Sequence, residues 1–69
     1  MVLLKNGSTL LLEEPTADGE SVVLAQTPTG AFVTWRKGSE GDTFWGNYFS
    51  QTLRGLKEAI IDFEERTAH

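Results

Sequence analysis

Three pairs of carboxylates sit close enough in the chain to do acid–base work together: Glu13 with Glu14, Asp62 with Glu65, and Glu64 with Glu65. Such pairs act when one carboxyl is held protonated in a poorly solvated pocket and the other stays ionised. All three fall in expected loops or on the polar face of an expected helix, where water keeps both groups ionised. Nucleophilic catalysis needs a base beside a serine, threonine or cysteine. Here the only histidine is His69, the last residue, and there is no cysteine. The glycines fit no phosphate-cradling pattern: neither GxGxxG nor GxxxxGK[ST] occurs, and Gly38-Ser39-Glu40-Gly41 opens no helix. Asp18-Gly19-Glu20 and Glu40-Gly41-Asp42 each offer two acids, too few for a calcium loop and well explained as turns. The expectation is a protein that is not an enzyme and has no cofactor and no metal site.

The aromatic residues are the more informative set. Phe32, Trp35, Phe44, Trp45, Tyr48 and Phe49 fall on two neighbouring extended segments. Exposed aromatics beside Arg36 and Lys37 would suit base stacking in a single-stranded nucleic acid. Against that, ten acids and six scattered bases leave a net charge of −4, which disfavours phosphate neutralisation. The absence of cysteine removes disulfides and thiolate metal sites and fits a reducing compartment. Residues 1–5 are too short an apolar run for a secretory leader, and no stretch approaches the roughly 18 apolar residues of a membrane span. The expected setting is the bacterial cytoplasm.

These side chains must be positioned by a small α+β domain spanning residues 1–69. Its 69 residues allow one core. Strands are expected at about 2–5, 8–14, 21–27, 31–36 and 42–48, forming an antiparallel meander, with one helix at about 51–66. Asn6-Gly7 predicts a two-residue hairpin turn, with Lys5 facing Ser8 and Leu3 facing Leu10. That register leaves both faces of the hairpin apolar, which implies a cover on both sides or a subunit contact. Pro28-Thr29 predicts a type I turn with Gly30 left-handed behind it, so that Thr27 faces Ala31. One sheet face then holds Val23, Ala25, Val33 and Trp35. The other holds Val22, Leu24, Gln26, Phe32, Thr34 and Arg36. Gly46 between aromatics predicts a bulge or a close approach of backbone. Ser50 is the expected helix cap. Leu53, Leu56, Ile60 and Phe63 form one helical stripe. The stripe is expected to cover the all-apolar face. Gly55 inside the helix implies a close neighbour.

The run Trp45-Gly46-Asn47-Tyr48-Phe49-Ser50, followed by Leu53, Ala59, Phe63 and Glu64-Glu65-Arg66, resembles small uncharacterised proteins of Gram-positive bacteria and their mobile elements. The resemblance covers the last third of the chain and the strand layout. It implies the fold and the bacterial setting and brings no activity and no site residue with it.

The functional expectation is a protein-interaction or regulatory module. Its candidate surface is Val22, Leu24, Phe32, Arg36 and Trp45, on the face away from the helix and facing an unknown protein partner or a second copy. The alternative is a weak single-stranded nucleic-acid binder using the sheet aromatics with Arg36 and Lys37. A third reading sets the acidic helix face, Glu58, Asp62 and Glu65, against a basic partner.

Overall fold

The structure, a computed structural model, describes residues 1–68; His69 lies outside the described residues. Five strands follow in order: β1 (Val2–Leu3), β2 (Thr9–Pro15), β3 (Ser21–Gln26), β4 (Phe32–Lys37) and β5 (Thr43–Phe49). One helix, α1 (Leu53–Thr67), closes the chain. The strands form a single antiparallel sheet in the order β1-β2-β3-β4-β5. Among the described residues, no helix is long and apolar enough to cross a membrane.

All four hairpins are built alike. The backbone N–H of Gly7, Gly19, Gly30 and Gly41 each donates to the carbonyl three residues back. All four glycines have positive φ, from 87° to 99°. Each loop is therefore a type I turn followed by a left-handed residue, and three residues separate the paired strand ends. This matches the expected pairing of Thr27 with Ala31. It corrects the first hairpin. Leu4 pairs with Ser8, Leu3 with Thr9 and Val2 with Leu10, one residue off the two-residue register. Asn6 takes part differently, its side-chain oxygen accepting from the Ser8 N–H at 3.0 Å. A one-residue slip moves every side chain to the other face. Leu4 thus enters the core while Leu3 stays exposed.

The placement of α1 reverses the expected faces. α1 lies over β3, β4 and β5 on the side of Val22, Leu24 and Thr34. Thr34 donates to Asp62 of α1, and Val22 and Leu24 are only 1% exposed. The opposite face is roofed by the first hairpin. In a flat sheet β1 and β5 would stand roughly 19 Å apart, four strand spacings. Here Asn6 donates to Thr43 Oγ1 at 3.2 Å, and Lys5 Nζ approaches Asp42 at 3.8 Å. The sheet therefore curls, helped by a bulge at Leu11 in β2. The hairpin folds across Val23, Ala25, Val33 and Trp35, adding Leu4 and Leu10 to that core. Trp35 is buried, as expected.

The helix starts later than expected. Thr52, not Ser50, is the cap, its hydroxyl accepting from the Gly55 N–H at 3.0 Å. Gly55 and Ala59, four residues apart on one face, are the buried residues of α1. A Cβ on Gly55 would lie 1.9 Å from the Ser50 carbonyl oxygen, which is the close neighbour its position implied.

Candidate functional site

Of the five residues expected to form an open surface, only Trp45 does so. Val22 and Leu24 are sealed beneath α1, Phe32 is half-buried, and Arg36 is held by its own chain. α1 sits on the face of Val22, Leu24 and Thr34 with Gly55 and Ala59 buried and Leu56, Ile60 and Phe63 half-buried beside them. Gly55 and Ala59 let the helix backbone approach, and Asp62 and Arg66 anchor it.

That anchor is a polar relay. Asp62 accepts from Thr34 of β4 and, at 3.1 Å, from Asn47 of β5. Arg66 Nε lies 3.3 Å from Asp62, and Arg66 Nη2 donates to the Trp45 carbonyl at 2.6 Å. Burial alone would raise the Asp62 carboxyl. The hydrogen bonds from Thr34 and Asn47 and the Arg66 guanidinium outweigh it and hold the group below its ordinary range.

Trp45 occupies a bulge. Arg36 pairs with Phe44 and Thr34 with Asn47, so Trp45 and Gly46 together oppose Trp35. Gly46 lies under the Trp35 indole: a Cβ there would come within 2.5 Å of Trp35 Nε1. Both features expected of Gly46, bulge and close approach, are present. Trp45 itself has φ 56°, a left-handed conformation rare for so large a side chain, and is 73% exposed. It stacks edge-on with Phe44 at 5.0 Å, while Tyr48, also exposed, stands edge-on to Trp35 at 5.9 Å.

The cations named for nucleic-acid contact are engaged. Arg36 Nε donates to Glu20 and its Nη2 to Asp18, both at 2.7 Å. Lys37 Nζ lies 2.6 Å from Glu13, which also accepts from Ser21 at 2.6 Å. Asp18 is held down to about 2, first by the Thr16 hydroxyl, then by the Glu20 N–H and Arg36. Glu13 is lowered by the hydrogen bond from Lys37 and then by that from Ser21. The shallow depression of about 290 Å³ lined by Thr16, Ala17, Asp18 and Arg36 is thus a closed charge cluster. Among the carboxylate pairs, Glu13 and Asp62 are each tied into such contacts, and Glu14, Glu64 and Glu65 are exposed.

The exposed apolar surface lies elsewhere, on the outer shoulder of α1 and on the first hairpin. At 100° per residue the centre of the Leu53, Leu56, Ile60 and Phe63 stripe is turned roughly 80° from Ala59, the buried line of the helix. Leu53 is 70% exposed, and Leu56, Ile60 and Phe63 are half-buried. On the same sheet face, beyond the strands α1 covers, stand Leu12, which pairs with Leu24, and Leu3, which pairs with Thr9. Both are exposed. Ile61 is exposed on the outer side of α1. Reasoning from the stripe alone misses Leu53, Leu12 and Leu3 as surface residues. The signal that finds them is Gly55 with Ala59, an i,i+4 pair of small residues that defines a second helix face.

No protein-family model, curated protein or solved structure matches this chain.

Proposed function

We propose that this chain is a non-enzymatic interaction module that docks a protein partner through the outer shoulder of α1 and the adjoining hairpin residues. The observation that carries this reading is the rotation of α1. An amphipathic helix in a lone domain turns its apolar stripe to the core. This helix turns Gly55 and Ala59 inward and leaves Leu53 in water. Scattered exposed apolar residues are ordinary, whereas a grouped set marks an interface. Leu53, Leu56 and Ile60 follow one line of α1, and Leu12 stands beside Leu24 on the sheet face that α1 covers. The nucleic-acid reading draws no support from Arg36 and Lys37, whose charges face Asp18, Glu20 and Glu13.

The test is photo-crosslinking in cells that make the full chain. A photoreactive residue replaces Leu53 in one variant and exposed Glu40 in another. A discrete protein adduct from position 53 and none from position 40 is expected. Equal labelling at both positions, or none at 53, contradicts the reading.

A further inference from the structure

We infer that the partner on this shoulder is a second copy of the same chain, packed helix against helix in antiparallel fashion about a two-fold axis. This inference rests on the docking reading above. It adds an occupant, argued from the order of charge along α1.

Lys57 and Glu64 flank the stripe on its outer side. Both are exposed, and neither makes an ion pair among the described residues. Seven residues separate them, about 10 Å along the helix. The first half of α1 carries Arg54, Lys57 and Glu58, and the second half carries Asp62, Glu64, Glu65 and Arg66, so a net positive half precedes a net negative one. This order runs against the helix's own dipole, which favours acids at the start and bases at the end. There is no acid in the first turn, and the base in the last turn, Arg66, is taken up by Asp62 and the Trp45 carbonyl.

The same order becomes favourable against an antiparallel copy. Lys57 of each chain then faces Glu64 of the other, and a two-fold axis through the middle of α1 creates both pairs at once. Leu56, Ile60 and Phe63 form the seam between them, with Leu53 at its end. A parallel copy would set like charges together. A partner of single charge sign would match only half of the shoulder. The exposed Leu12, beside Leu24, widens the apolar floor next to the seam. A helix of 15 residues spans about 22 Å. Contact of that length falls at the small end of specific interfaces, which gives a concentration-dependent dimer instead of an obligate one.

The test is sedimentation equilibrium on the full chain from about 10 µM to about 1 mM, a span that brackets weak self-association. The weight-average mass of the wild type is expected to climb from 7.6 kDa toward twice that value. K57E and E64K, each changing one exposed side chain, are each expected to raise the dissociation constant at least tenfold. An equimolar mixture of the two is expected to restore it, because the mixed dimer regains both cross-pairs. A wild type that stays at monomer mass throughout overturns the inference. So does a dimer that K57E leaves intact, or one the mixture fails to restore. A monomeric wild type that still crosslinks a different protein from position 53 defeats the self-association alone. A monomer that crosslinks nothing defeats the docking reading as well.

Discussion

Gly55 has no side chain because Ser50 leaves no room for one. Helix propensity by itself favours alanine there by about 1 kcal/mol. The clash with the Ser50 backbone at 1.9 Å reverses the sign, since neither chain segment can yield without moving α1. Gly55→Ala is therefore expected to destabilise the domain by more than about 2 kcal/mol in urea denaturation. A neutral or stabilised variant would mean that α1 does not sit on its own entry turn. Asp62 is the second decisive residue. Its carboxyl is lowered in the folded chain, so its ionised form adds stability above the unfolded value near 4. That contribution is lost as pH falls through the folded value. Glu13 is lowered too, and Asp18 is lowered to about 2, so they act in the same direction. The melting temperature is expected to drop between about pH 4 and pH 2, and Asp62→Asn to flatten the upper part of that fall. A melting temperature rising on acidification through that window contradicts the relay. Trp35, Gly46 and Gly55 were legible in the sequence as core, bulge and close contact. The Thr34–Asp62 bond was not, because nothing in a single chain says which acidic helix residue will meet a buried threonine.

The turns carry the regularity at the level of elements. Glycine recurs at positions 7, 19, 30 and 41, every 11 or 12 residues, and each ends a three-residue loop. That spacing sets the length of β2, β3 and β4. The first turn was misread because Asn6-Gly7 is the signature of a shorter loop, whereas the backbone pairing of Leu4 with Ser8 makes it one of three residues. Gly19 has open space around it, so Gly19→Ala isolates the cost of a left-handed backbone. A loss of about 1 kcal/mol is expected by thermal unfolding; no loss would mean that the turn is of another type. Thr52 holds the first exposed N–H groups of α1, and Thr52→Ala is expected to lose about 1 kcal/mol. If Ser50→Ala proves costlier than Thr52→Ala, the helix begins earlier than described here. The stripe of α1 was legible, whereas its rotation was not. Periodicity locates an apolar face but does not reveal that small residues on a neighbouring face allow closer packing.

The whole molecule has two roofs, and this decides where a partner goes. The curled hairpin covers Val23, Ala25, Val33 and Trp35, and α1 covers Val22, Leu24 and Thr34. The meander-plus-helix plan could be drawn from the sequence, but the curl could not, since it depends on the bulge at Leu11 and on contacts between the two ends of the sheet. With both faces closed, the remaining apolar surface divides among the shoulder of α1, the first hairpin and the Trp45–Tyr48 edge of β5. Only the shoulder has charges arranged to match a copy of itself. An isotope-filtered nuclear Overhauser experiment reads that choice directly, on an equimolar mixture of carbon-13-labelled and unlabelled chain at about 1 mM. Intermolecular cross-peaks are expected from Ile60 to its own copy and from the Leu56 methyl groups to the Phe63 ring. Cross-peaks confined to Trp45 and Tyr48, or none at that concentration, would contradict the proposed dimer.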